Sequence, residues 1–561
     1  MIRYKIVEDL RNTLSSLGMR ADLDLSVEPP ANPAFGDFAT NVALQLAKEQ
    51  KSPPRKVAER IAEAFQSPWV NKVDIAGPGF INFRVKPYAV FQALLAASAN
   101  DAGFWRPDVG RGRKVLLEFV SANPTHPLHV GHGRGAVYGD VLASLLSKTG
   151  HDVWREYYVN DIGNQMDKLG KSLHARYREL CGVDEPFPED GYQGEYVREA
   201  ARQLFSEIGD ARRDTPYETI AAESKAYISN KLLAGIREDI ALFRIEFDRW
   251  YSERELYERG VSSRVIDRLR QDGWLYEQDG KLVFRSSVLG DDEDRVVVRD
   301  NGVPTYFASD IAYHFEKFER GFDELIDIWG ADHHGYVPRM KASIQALGRD
   351  PEKFRVILLQ FVRLLRNGEP VAMSGRAGNF VTVREVLDEV GVDATRFFFM
   401  LRSGDSPLDF DLELAKQQSV DNPVFYVQYG HARISSILAK AAAAGLVPGV
   451  PDADELEAQL VLPDELELTK KVLEYPHVLR TIARTGEIHP LAFYLIDLTK
   501  QFHGYYTRNK GADRVISDDA ARTRARLTLV ELVRRVIHDA LDTLKITAPE
   551  RMASVGGDNE E

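Results

Sequence analysis

Lys114–Gly150, KVLLEFVSANPTHPLHVGHGRGAVYGDVLASLLSKTG, governs how the rest of the chain is read. KVLLEFV is a nearly unbroken apolar run of strand length, as expected of a strand covered on both faces in a parallel sheet. SANPTHPLH has the prolines and small polar residues of a loop. From Val130 the apolar residues take helical spacing, and Gly150 is placed to close the helix. DVWREYYV at 152–159 returns as a strand and completes a βαβ unit. A helix opening directly behind a parallel strand aims unpaired N–H groups and a positive dipole end at the ligand crevice. Phosphate is therefore expected at this turn. His129 and His132 share one face of it, Gly131 lets a nucleotide approach the backbone, and the imidazoles can donate to phosphate oxygens. Two plainer readings exist. The histidines can be ordinary polar residues at a helix start, or His126, His129 and His132 can form an evenly spaced metal set. Zinc would need a further carboxylate or histidine nearby, and none is indicated, so no metal ligand is assigned and no zinc is expected.

Working outward, the alternation resumes late. VPTYFAS (303–309) reads as a strand, DIAYHFEKFERG (310–321) as a helix and ELIDIWGAD (324–332) as a strand. A helix around YVPRMKASIQALG (336–348) and a single strand FRVILLQFV (354–362) follow. The charged, mainly helical stretch of about 166–290 reads as an insertion splitting a doubly wound sheet. The expected fold is thus multidomain α/β. Residues 1–105 form a small α+β unit ending in the strand pair of VDIAGPGFINFRV, and residues 106–375 hold a Rossmann-like parallel sheet with its insertion. Residues 376–420 connect, and 421–561 form an all-α unit whose last stretch, ASVGGDNEE, is expected to fray.

Composition sets limits around this plan. At 561 residues, several cores are expected. A net charge of -13 argues mildly against a nucleic-acid partner, but one local basic face is sufficient for RNA. The single cysteine, Cys181, rules out disulfides within the chain and thiolate-rich zinc sites. With no signal-like or membrane-length apolar run, a cytoplasmic protein without a membrane partner is expected.

Set between a buried strand and a helix, HVGH resembles the "HIGH" signature of class I aminoacyl-tRNA synthetases. LLEFVSANPTHPLHVGH, REYYVNDIGNQ, GADHHGYVPR, MSGRAGNFVT and NPVFYVQYGHARI narrow the resemblance to bacterial arginyl-tRNA synthetases. NPAFGDFATNVALQLAK and AGPGFINF are similar to the additional N-terminal domain of that family, so the likeness spans nearly the whole chain. The resemblance implies ATP-dependent attachment of L-arginine to its tRNA through an arginyl-adenylate, with Mg2+ accompanying ATP, in a monomer. It assigns ATP to His129, Gly131, His132, Asp332, Met373 and Ser374. It assigns the guanidinium of arginine to Tyr306 and Asp310, and its α-amino and carboxylate end to Glu118, Ser121 and Asn123, with His333 nearby. The all-α unit resembles an anticodon-binding domain, and tRNA contacts are implied for Phe80, Asn82, Tyr426 and Met552.

Physical chemistry supports acids at these positions, because a planar, permanently charged fork needs paired acceptors and charge compensation. Each has a structural alternative: Asp310 as a helix N-cap, Glu118 as the partner of a buried base, Asp332 and His333 as a capped helix start. The aromatics of FYVQYGHAR and FHGYYTRNK likewise suit either a core or base stacking. The carboxylate of arginine, with a pKa of about 3.5, is already ionised, so activation needs positioning and charge stabilisation rather than a general base. One departure stands out. Where class I enzymes carry Lys-Met-Ser-Lys, this chain has Ala372-Met373-Ser374-Gly375 followed by Arg376, and the position of a compensating lysine in similar enzymes is His126. Arg376 and a partly protonated His126 are expected to share the catalytic role with Ser374, His129 and His132. The competing reading is a paralogue that binds tRNA or nucleotide with impaired activation.

Overall fold

The computed structural model describes residues 2–371, 380–450, 452–509 and 511–553. Its centre is a five-stranded, wholly parallel sheet built from β1 (Lys114–Glu118), β2 (Asp152–Val159), β3 (Arg249–Ser252), β4 (Glu324–Gly330) and β5 (Phe354–Leu359), in the order β5-β4-β1-β2-β3. Val115, Leu116 and Leu117 are fully buried, as an apolar run between two helical layers requires. Strand order reverses between β1 and β4, so loops diverge to opposite faces there and leave a crevice beyond the strand ends.

Helix α1 (Val130–Lys148) crosses behind β1 and ends two residues before Gly150, whose φ of +87° turns the chain back into β2. It packs so closely that a Cβ on Gly139 would overlap the Phe119 ring. The second helix at the crevice, α2 (Tyr306–Glu319), corrects the sequence reading: 303–309 is no strand, and helix begins at Tyr306 behind Thr305. Phe307, Ala308, Ile311 and Ala312 are buried at helical spacing, so the period of burial overrides the β-prone composition of VPTYFAS. FRVILLQFV also divides. β5 stops at Leu359, the Gln360 amide turns to Gly404 O at 2.9 Å, and Val362–Arg366 pairs in parallel with Leu408–Asp411 in a separate sheet.

Within 166–290 lie the helices Asn164–Leu180, Glu195–Ile208 and Tyr217–Leu242, but also β3, which pairs with β2 in the main sheet. The stretch is therefore two excursions with a sheet strand between them. The second carries the antiparallel strands Leu275–Gln278, Lys281–Phe284 and Arg295–Val298.

The N-terminal unit pairs Phe38–Thr40, Val70–Ala76 and Phe80–Val85 in one antiparallel sheet with its own core around Ile6, Leu10, Val57 and Phe83. Phe91 and Leu94 of the next helix, Pro87–Ser98, belong instead to the main core. Past residue 420 every element among the described residues is helical, including α3 (Pro423–Ala443), α4 (His489–Arg508) and α5 (Ala520–Thr543).

Candidate active site

The crevice at the switch point encloses about 1130 Å³. Glu118, Ser121, Asn123, His126, His129, Gly131, His132, Tyr306, Asp310, Asp332 and His333 all line it, so segments more than 200 residues apart in sequence meet there. Met373, Ser374 and Arg376 lie outside the described residues.

On the helix-start side, His129 is the N-cap of α1. Its Nδ1 accepts from the Gly131 amide at 3.2 Å, and the His132 Nδ1 accepts from the His129 amide at 3.3 Å. Because both Nδ1 atoms accept, both Nε2 atoms carry the ring protons. The rings stack with centroids 3.6 Å apart, and His126 lies parallel to both. Burial, with the neighbouring His126 adding to it, holds His129 down to about 4, and burial keeps His132 well below its ordinary value. Both are neutral donors at neutral pH.

This arrangement overturns the expectation of free N–H groups at the turn. The Val130 amide donates to Val381 O at 3.2 Å, and the His129 and Gly131 amides are taken by the histidines. A phosphate here would meet Nε2–H groups and the helix dipole, not bare backbone.

The opposite side is built from carboxylates. Val120 and Ser121 adopt left-handed φ values of +68° and +40° just past β1. Such a conformation costs roughly 1–3 kcal/mol at a branched residue. It turns Ser121 back so that its Oγ donates to Glu118 Oε1 at 2.8 Å and accepts from the Tyr158 amide at 3.1 Å. Asn123 Nδ2 donates to Gln165 Oε1 at 2.9 Å. Tyr306, 48 % exposed, and Asp310 stand one turn apart on α2. Asp310 lies past the first turn and caps nothing; it accepts from the Tyr336 hydroxyl, and burial holds it above the usual carboxylate range. Asp332 and His333 sit exposed on the short turn after β4, and no side chain caps that turn.

Two features were not anticipated from the sequence. Glu253, buried at the start of helix Glu253–Glu258, is pushed up to about 7 by burial, with repulsion from Asp310 and Asp161 adding to it. Its local sequence reads only as a capping box. Arg134, buried in α1, donates to Gln360 O at 2.6 Å and Ser403 O at 2.8 Å, which holds the β5 end and Phe361 at the crevice rim.

The assigned RNA contacts lie elsewhere. Phe80 is 41 % exposed at a hairpin tip, whereas Asn82, two residues along the same strand, is 3 % exposed. Half-buried Tyr426 meets His503 with ring centroids at 5.1 Å, and Arg433 lies over the Tyr429 and Tyr506 rings. Tyr429 and Phe502 are buried, so the aromatic runs serve core and surface together. The tail before Met552 is strapped to α3, with Gln428 donating to Thr547 O and His431 to Pro549 O, each at 2.9 Å.

Residues 4–85 match the arginyl tRNA synthetase N terminal domain, 95–400 the class I (R) tRNA synthetase catalytic domain and 427–552 the DALR anticodon binding domain. The chain is 52% identical over 533 residues to the arginine–tRNA ligase of Syntrophotalea carbinolica, covering 94% of this chain and 95% of that one. It is 50% identical to that of Citrifermentans bemidjiense, with 94% and 95% covered. The fold superimposes on Thermus thermophilus arginyl-tRNA synthetase with a TM-score of 0.77 at 23% identity, covering 98% of this chain and all of the other.

Proposed function

The chain belongs to the arginyl-tRNA synthetase family, and on that premise we propose how its crevice joins L-arginine to tRNA at the expense of ATP. As an arginine–tRNA ligase it forms arginyl-adenylate and pyrophosphate, then transfers arginine to a terminal ribose hydroxyl of its tRNA and releases AMP. The observation that carries the reading is the meeting of Asp310 and Tyr306, Glu118 and Ser121, and the stacked His129 and His132 around one crevice.

Arginine lies with its guanidinium on Asp310 and Tyr306, Glu253 adding negative charge behind Asp310, and its α-ammonium on Glu118, with Ser121, Asn123 and His333 beside it. That orientation leaves its carboxylate facing the ATP side. The carboxylate oxygen attacks the α-phosphorus, the bond to pyrophosphate breaks, and no proton need be removed because the carboxylate is already ionised. His129 and His132 donate through Nε2–H to phosphate oxygens as charge builds, Gly131 admits the nucleotide, and Asp332 binds the ribose. ATP arrives as its Mg2+ complex. Met373 contacts ATP, and Ser374, Arg376 and His126 complete the charge stabilisation that two signature lysines usually supply. Phe80, Asn82, Tyr426 and Met552 mark the RNA-facing units, the aromatics by stacking on bases. The substrates are cytoplasmic, and we place the protein there as a monomer.

The test is aminoacylation with each amino acid, alongside pyrophosphate exchange with and without tRNA. Charging with arginine alone supports the reading; none with arginine ends it.

A further inference from the structure

Beneath the arginine-binding side lies a buried charge cluster centred on Lys317 and Asp327, two groups that the reaction scheme does not use. Lys317, on α2 two turns beyond Asp310, is 0% exposed. Its Nζ donates to Glu118 Oε2 at the end of β1 and to Asp327 Oδ1 in β4, the latter at 2.8 Å. It thus clamps the two strands that flank the switch point. The other Asp327 oxygen lies 2.9 Å from His314 Nε2, while His314 Nδ1 lies 2.8 Å from the backbone oxygen of Asp310. A continuous chain therefore runs from Glu118 through Lys317, Asp327 and His314 to Asp310. It links the acid proposed for the α-ammonium of arginine with the acid proposed for its guanidinium.

Burying two carboxylates is tolerable only if they are paired, and removing the one base between them leaves uncompensated charge. Helix α2 faces Glu118 with Lys317, Tyr313 and His314, strand β4 with Asp327, and β2 with Tyr158. Ser121 is the other hydrogen-bond donor on Glu118. Of these groups, Lys317 both touches Glu118 and brings a permanent positive charge to it. Burial raises Glu118 above the usual carboxylate range and Lys317 opposes that rise. Burial likewise works against the charge on Asp327, but Lys317 and His314 prevail and hold it below the usual range.

We infer that Lys317 is a positioning residue for arginine recognition: it keeps the Glu118 carboxylate anionic and aimed at the substrate α-ammonium, and through Asp327 and His314 fixes its span to Asp310. The inference rests on the arginine-binding reading of this crevice. It makes the distance between the two acids a property of the buried cluster rather than of the crevice surface.

The experiment is tRNA-dependent pyrophosphate exchange by the full-length enzyme, with KM for arginine and for ATP measured from pH 6 to 9. Lys317→Met should raise KM for arginine at least about tenfold at pH 7, since one pKa unit is a tenfold change. The midpoint of the acid limb of that KM should move up by about one pH unit or more, while KM for ATP stays within about twofold. Because the single variant takes the shared base from two buried acids, Lys317→Met/Asp327→Leu, which removes one base and one acid together, is measured as well. It should fold and retain the raised KM for arginine. An unshifted profile, or equal losses for arginine and ATP, would overturn the inference, and so would failure of both variants to fold, which makes Lys317 purely structural. Glu118→Gln separates the two levels. If it too leaves KM for arginine unchanged, the assignment of Glu118 has failed; if it raises KM and the Lys317 variants do not, only the inference has.

Discussion

The two walls of the crevice handle charge in opposite ways. On the wall proposed for arginine, Glu118, Asp310, Asp327, Lys317 and Glu253 are buried or half-buried ionisable groups whose charges depend on one another. On the wall proposed for ATP, the stacked His129 and His132 are neutral and already engaged in capping α1. A small cation with a fixed charge can be met by acids preset in the fold. On the proposed reading, a polyphosphate whose charge shifts during reaction would be met by donors that need not titrate.

The largest test of this contrast is Asp310→Asn. Losing one partner of a buried charged pair costs about 2–5 kcal/mol, so kcat/KM for arginine should fall about a thousandfold while KM for ATP hardly moves. Comparable losses for both substrates would mean that the walls are not separate. Next comes Arg376→Ala, expected to slow single-turnover adenylation about a hundredfold, the usual scale for a charge-stabilising donor. An unchanged rate would remove Arg376 from the ATP side.

Titration sharpens the comparison further. Glu253, at about 7, is protonated below that pH and then no longer compensates the guanidinium. KM for arginine should therefore rise as pH falls through 7, and Glu253→Gln should abolish that rise while leaving the limb that Lys317 sets through Glu118. His129, held at about 4, stays neutral throughout that range, so His129→Gln should leave the shape of the kcat profile from pH 6 to 8 unchanged. A limb in that profile that disappears in the variant would show that His129 does titrate. The smallest expected effect lies outside the crevice. Phe80→Ala should raise KM for tRNA about fivefold, the low end for one lost base stack, with KM for arginine unchanged.

Much of the fold was legible because it is written in local periodicity. The buried run KVLLEFV, the helical spacing after Val130 and the glycine at 150 sufficed to place β1 and α1, and with them HVGH. The reading failed where tertiary pairing outvotes composition. TYFAS is rich in β-prone residues yet opens α2, FRVILLQFV is cut at Gln360 by a second sheet, and β3 lies hidden within a charged stretch. The site divides in the same way. Asp310 and Tyr306 share a helix turn and could be paired from sequence, although their element could not.

By itself, the sequence determined the family and the βαβ unit and nominated the side chains proposed for the chemistry, because these reside in residue identity and short-range spacing. Only the tertiary structure decided that the amides at the start of α1 are already satisfied. It alone joined Lys317 to Glu118 across 199 positions and pressed Glu253 toward Asp310. Hydrogen-bond partners and burial are fixed by which strands lie side by side, and no local pattern in the chain encodes that adjacency.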